Sequence, residues 1–345
     1  MKFVTYLTES GENRVGLCLG SEVNTHSVQV IDFEKAYQAL KASQKTLPEL
    51  PIAAQKNLLA AAAHQESFLE VSKQIEKAAQ SSAPWDPSIV KPIDQLSLNA
   101  PIPRPTSIRD GYAFRIHVET MRKSRNLPMI EEFDLHPTFY FSNHTVVTGP
   151  GPVSYPKRLA EKGLDYELEL AIVIGKPGRN IPVEKAEDHI FGFMIFNDWS
   201  DRAIWLKHES KMSLGPAKAK DFASSFGPYL VTPETLEPYR VSSPEGSRWN
   251  LKMSASLNGN ILSEGNANTM HWTFAQLISY ASEGVELLPG EIIGSGTVGT
   301  GCLAELNLTK KTDGLWLKDQ DEVICEIDQL GRLKNTVVME KDSHQ

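Results

Sequence analysis

Apolar and polar positions alternate over residues 1 to about 30, with Gly11-Glu12-Asn13 breaking the run. The chain is therefore expected to open with strands joined by a hairpin turn. From 33 to 82 the texture turns helical: Leu58-Leu59-Ala60-Ala61-Ala62-Ala63 and the run from Phe68 to Ala79 carry strong helix formers and few breakers. Ser81-Ser82-Ala83-Pro84-Trp85-Asp86-Pro87 ends that region. Pro92, Pro101, Pro103 and Pro105 follow and read as an extended linker. This places a domain boundary near residue 100, with a small N-terminal domain at 1–100 and a larger domain at 101–345. Beyond it the pattern predicts strands over Thr138 to Phe141, Glu167 to Ile174, Phe191 to Phe196, Tyr229 to Val231, Trp249 to Leu257, Gly290 to Ile293, Leu303 to Leu308 and Glu322 to Ile327. Helices are expected only around Phe114 to Lys123 and Thr273 to Ser282. The fold class is β-rich α+β.

One predicted strand violates its own pattern. Leu164 to Ile174 reads as a strand entering an apolar core, yet it carries Glu167 and Glu169 two residues apart. Side chains at i and i+2 share a strand face. Two buried carboxylates side by side repel and lose hydration, and a divalent cation between them removes both costs. A half-exposed strand with a solvated acidic face fits the spacing equally well. A further acid, Asp198, ends the apolar run Phe191 to Phe196 plus Asn197. Together Glu167, Glu169 and Asp198 form an all-oxygen set suited to Mg²⁺, Ca²⁺ or Mn²⁺ rather than zinc. Asp198 also fits the cap of a helix beginning near Trp199.

Composition narrows the function. The chain has 345 residues and a net charge of −8, with a pI near 5.7, which argues against a nucleic-acid partner held by phosphate attraction. No apolar run approaches the ~20 residues that span a bilayer, and the N-terminus lacks a secretory pattern, so a cytoplasmic protein is expected. Cys18, Cys302 and Cys325 lie far apart, with no metal spacing and no base beside them in the sequence. They read as reduced, packed thiols.

Four motifs occur in a telling order: Asp165-Tyr166-Glu167-Leu168-Glu169, Asn197-Asp198-Trp199-Ser200 with Arg202, the segment Gly215 to Phe222 containing Lys218 and Lys220, and Gly294-Ser295-Gly296-Thr297. In that order they resemble the fumarylacetoacetate hydrolase family over roughly Ile102 to Val338. The resemblance points to a bacterial member with an N-terminal domain. It implies a mixed β-sandwich roll and a homodimer.

The resemblance also implies site roles. His117 follows Asp110 by seven residues, with Tyr112 between them, and histidine suits proton transfer near neutrality. The family pairs such a histidine with a distant glutamate, here Glu305, to activate water. A surface histidine on an amphipathic helix is the alternative for His117, and a solvated strand residue for Glu305. Asp110 matches a fourth metal carboxylate, or else caps the helix beginning near Tyr112. Lys220 matches the active-site lysine, which stabilises developing negative charge, while Lys218 reads as peripheral. Thr297, Tyr112 and Tyr140 match substrate contacts. The implied reaction is hydrolysis of a carbon–carbon bond in a small diketo acid, of fumarylacetoacetate or acylpyruvate type, with Mg²⁺ or Ca²⁺ as Lewis acid. Decarboxylation, hydration or isomerisation of 2-keto acids is the alternative. A non-catalytic metal-binding protein is the reading from another class. Two positions depart from the family: Trp205 stands where it has a substrate-binding Gln, and Asn126 where it has an arginine, for which Arg122 or Arg125 could substitute.

Overall fold

The computed structural model describes all residues except 21–27, 44–45, 82–84, 87, 124–125, 157–162, 213–214 and 341–345. Two large sheets dominate it. A 12-stranded sheet contains Leu168–Ile174 at its centre, flanked by Ile190–Asp198 on one side and Ile292–Gly294 on the other. A five-stranded sheet combines Asn260–Asn266, Lys252–Leu257, Glu322–Ile327, Gly331–Met339 and Gly151–Tyr155. Both are mixed: Ile292–Gly294 runs parallel to Ile108–Gly111, and Gly331–Met339 runs parallel to Gly151–Tyr155.

Strand alternation explains how one sheet serves two cores. Leu168, Leu170, Ile172 and Ile174 join one apolar cluster with Met253, Ala255, Val323 and Leu333 of the smaller sheet. Ala171 and Val173, on the opposite face, join a second cluster with Phe3, Phe33 and Phe68. Every residue of Leu168–Ile174 is buried. The run is therefore continuously apolar except for Glu169, as expected of a strand covered on both faces.

The N-terminal region has the predicted succession. Strands Lys2–Leu7 and Asn13–Leu19 pair antiparallel, and helices Phe33–Ser43, Ile52–Lys56, Leu58–Ala62 and Gln65–Gln80 follow. Phe68 stacks on Phe33 at 4.5 Å and reaches Phe191 of the central sheet edge-on at 6.1 Å. Lys2–Leu7 is hydrogen-bonded to Ser224–Val231, so the large sheet runs without interruption across residue 100. The proline-rich stretch read as a linker is partly strand. Val90–Pro92 pairs with Gln29–Asp32, and Ser97–Asn99 with Lys2–Leu7. Pro92 sits at the last position of its strand, where it interrupts no central ladder. Of the linker residues, Ser82, Ala83, Pro84 and Pro87 lie outside the described set.

Leu303–Leu308 is a helix and not the strand expected from its apolar run. Short apolar runs do not distinguish the two by periodicity. Here local bonds decide: Cys302 caps the helix by accepting the Glu305 N–H on its sulfur, and the Asp165 carboxylate accepts the N–H groups of Leu303 and Ala304 at 2.7 and 3.0 Å. Among the described residues, no helix is long and apolar enough to cross a membrane.

Candidate active site

Asp110, Glu169 and Asp198 come from three strands of the large sheet: Ile108–Gly111, Leu168–Ile174 and Ile190–Asp198. Each continues the strand face whose next residue inward is apolar, namely Ile108, Ala171 and Phe196. Their carboxylate oxygens lie within 4.8 Å of one another and all three residues are buried. Gly294 sits between Asp110 and Ala171 in register. A Cβ there would fall 2.4 Å from Asp110 Oδ1 and 3.1 Å from Glu169 Oε2, so glycine makes room for the acids. Gly296, at φ +76°, turns its N–H onto Asp110 Oδ1 at 3.2 Å and Glu169 Oε2 at 3.0 Å. Thr297 Oγ1 donates to Glu169 at 3.5 Å.

Glu167 departs from its expected place. Leu164 to Ile174 is not one strand. Leu164–Asp165 pairs with Ser200–Asp201, and a new strand begins at Leu168. At the break the Glu167 N–H donates to the Asn197 side chain at 3.0 Å, so no strand alternation fixes Glu167 beside Glu169. Its carboxylate instead accepts from Arg202 Nη2 at 2.6 Å and from Lys220 Nζ. Lys220 Nζ also donates to Asp198 Oδ2 at 2.5 Å, and the Tyr140 hydroxyl donates to the same oxygen. Asp110 and Asp198 are strand residues, not helix caps; the cap of the short helix Arg202–Ile204 is Asp201.

His117 lies in the first turn of helix Arg115–Lys123 and is buried, contrary to the surface alternative. Its Nδ1 is 2.7 Å from Glu305 Oε2, and Glu305 is equally buried. Tyr112 meets the imidazole edge-on, with ring centroids 6.0 Å apart. Cys302 is less remote from a base than its sequence position suggested, because its sulfur lies within 4.8 Å of the His117 and Glu305 ligand atoms. Burial first, and then the Asp165 charge, push that thiol far above its ordinary range, so it is held neutral.

A cavity of about 380 Å³ joins these groups. His117, Tyr112, Tyr140, Asp110, Glu167, Glu169, Lys220, Trp205 and Thr297 line it, with Arg122, Met121 and Ile130. Glu305 and Asp198 stand behind that lining. Of the two arginine candidates, Arg122 reaches the cavity and Arg125 lies outside the described residues. Lys218 is peripheral, paired with Asp221 at 3.0 Å.

Sequence reasoning quoted Asp165 and Arg202 within motifs but gave them no role. Arg202 Nε donates to Asp165 at 2.8 Å, so a chain of buried charges runs Lys220–Glu167–Arg202–Asp165 to the N-terminus of the helix that carries Glu305. An acid inside the apolar run Leu164-Asp165-Tyr166 was the available signal, since buried charges come paired.

The cluster is electrostatically unbalanced, with four carboxylates facing Lys220 and Arg202. Burial, then the Asp198 charge, push Asp110 up to about 7. Burial, then Asp110, push Glu169 well above the carboxylate range, and burial raises Asp198 against the pull of Lys220. Burial would also raise Glu167, but Lys220 and then Arg202 overcome it and hold that group strongly ionised. Lys220 stays charged: burial opposes its ammonium, and Asp198 and Glu167 outweigh it. Three converging acids that resist ionisation, with Asp198 Oδ1 buried and without a hydrogen-bond partner among the described residues, fit a hard divalent cation. Asp110, Glu169 and Asp198 would hold it, while Glu167, expected as a ligand, is instead paired with Arg202 and Lys220.

The chain is similar to known proteins over most of its length. The family model described as fumarylacetoacetate (FAA) hydrolase C-terminal matches residues 106–338. Oxaloacetate tautomerase YisK of Bacillus subtilis (strain 168) is 30% identical over 316 residues, covering 89% of this chain and 94% of that protein. Fumarylacetoacetase of Bos taurus is 32% identical over 200 residues, 47% of each chain. The solved fumarylacetoacetate hydrolase from psychrophilic Exiguobacterium antarcticum shares the fold, with a TM-score of 0.66 at 20% identity over 99% of this chain and 100% of that one.

Proposed function

The chain belongs to the fumarylacetoacetate hydrolase family, and on that premise we propose that it interconverts the keto and enol forms of a small 2-oxo acid, with Mg²⁺, Mn²⁺ or Ca²⁺ as cofactor. The observation that carries the reading is the buried His117–Glu305 pair, whose histidine lines the same cavity as the acid cluster. Its Nδ1 is committed to Glu305, which leaves Nε2 for proton transfer. When bound, the cation supplies Lewis-acid polarisation of the substrate's keto oxygen. His117 takes the proton from the carbon next to the keto group, the C–H electron pair becomes the C=C bond, and the oxygen gains a proton from solvent. Lys220 balances the charge that develops on the oxygen. A cavity of about 380 Å³ suits a small acid. The relative named as an oxaloacetate tautomerase, matched over most of both chains, supports oxaloacetate as the first substrate to test.

Hydrolysis of a carbon–carbon bond in a diketo acid is the second reading. The same dyad would deprotonate water, and the relative named fumarylacetoacetase supports it. One assay separates them. Loss of enol absorbance of oxaloacetate, followed with Mg²⁺, should be accelerated by the wild type and slowed about 10²–10⁴-fold in His117→Ala. Acetylpyruvate and fumarylacetoacetate should remain uncleaved. No acceleration, together with cleavage of either diketo acid, would replace the first reading with the second.

A further inference from the structure

Lys220 reaches the acid cluster from a segment without regular secondary structure, and its long flexible stem cannot by itself fix where the ammonium sits. The backbone just before it is held by a different side chain. Glu209 ends the π-helical turn Trp205–Glu209, and its carboxylate accepts three successive backbone N–H groups: Ala217 at 3.0 Å, Lys218 at 2.5 Å and Ala219 at 3.2 and 3.3 Å to its two oxygens. Successive amides that converge in this way form a concave anion site, and charge-assisted N–H···O⁻ bonds are the stronger kind. The Lys220 N–H then closes the turn on Ala217 O at 3.1 Å, and Asp201 N–H donates to Ala219 O at 2.8 Å. Four residues before Glu209, Trp205 lines the cavity, as do Gly215, Pro216 and Ala219 of the lysine segment.

We infer that Glu209 is a positioning residue: its carboxylate clamps the Lys220 segment to the Trp205 turn, so that the ammonium and the indole wall are set by one contact. Glu209 does not line the cavity, and it acts through Lys220. The inference rests on the reading that Lys220 serves the chemistry.

The test uses the full-length, Mg²⁺-loaded protein with oxaloacetate. Glu209→Ala should lower kcat about 10- to 100-fold, since a misplacement of about 1 Å can cost about 10²-fold, with half-saturation by Mg²⁺ unchanged. Glu209→Gln should fall between it and the wild type, since an amide keeps one acceptor and turns an NH₂ toward the three donors. In a Lys220→Met background Glu209→Ala should cost nothing further, because the pair acts as a unit. Effects that multiply would overturn the inference. Amide exchange reads the clamp without activity: the 216–220 peptide should exchange about tenfold faster in Glu209→Ala, and unchanged exchange would also overturn it. A Lys220→Met protein with the wild-type rate would instead refute the role of the lysine, leaving exchange to decide the clamp.

Discussion

Two halves of one sheet face do opposite things. Toward the N-terminal helices, Val173, Phe191 and Met194 pack on Phe33 and Phe68 and are fully buried. Two residues further along the same strands the face changes chemistry, from Ala171 to Glu169, from Phe196 to Asp198 and from Ile108 to Asp110. Both halves are buried. In the first, burial is the source of stability. In the second, burial raises the energy of every ionised acid. The apolar half thus holds the acidic half in a state the acids themselves disfavour, and a cation held between them would relieve that strain.

The sharpest way to break this contrast is a pair of substitutions. Glu169→Gln should lower oxaloacetate turnover about a thousandfold, from the loss of several kcal/mol of charge stabilisation. It should also raise the melting temperature of the cation-free protein, because it removes a carboxyl whose ionisation burial and Asp110 oppose. Phe68→Ala should do the reverse: lose about 3–5 kcal/mol of stability while the rate per folded molecule stays at the wild-type level. Calorimetry and kinetics on both proteins decide it. If Glu169→Gln destabilised the cation-free protein, the acidic half would not be under strain.

A smaller effect follows from pH. Asp110 is held at about 7 and Glu169 well above the ordinary range. A carboxyl whose folded pKa is raised keeps its proton in the fold after the unfolded chain has released one. The cation-free protein therefore loses stability as pH rises from about 4 through 7. A cation displaces those protons, so the melting-temperature gain from Mg²⁺ should grow across about pH 5 to 8. A gain that is flat over that range would show that the acids are already ionised without the cation.

The two halves also differed in how legible they were. Where neighbours along the strand decide, pattern suffices: Glu322–Ile327 has the bounds its alternation gives, and the helix around Thr273 to Ser282 is Phe274–Ala281, capped by Thr273. Glu169 and Asp198 were findable because each interrupts or ends an apolar run, whereas Asp110 was legible only from its place seven residues before His117 and the family resemblance. What pattern missed was settled by contacts distant in sequence. The Asn197 side chain, 30 residues away, takes the Glu167 N–H and breaks the strand. Asp165, more than 130 residues away, caps the helix of Glu305 that composition alone allowed as a strand. The proline-rich stretch after residue 87 pairs through three-residue strands, too short to show any period.

The smallest effect concerns the cavity wall rather than its charged floor. Trp205 stands where the family has a substrate-binding Gln. It lines the cavity, close in sequence to Asp201 and Arg202 and apart from the acids of the sheet. Replacing an amide by an indole removes an acceptor, keeps one donor, and fills volume. Trp205→Gln should therefore change which acid is preferred without changing how the cation is held. One hydrogen bond is worth about 1–1.5 kcal/mol, so kcat/KM for keto–enol exchange of fumarylacetoacetate relative to oxaloacetate should rise about tenfold, while half-saturation by Mg²⁺ stays fixed. The comparison needs both substrates on both proteins. A parallel loss for the two acids would mean that Trp205 supports the cluster itself, and the division between a selective wall and a charged floor would fail at this residue.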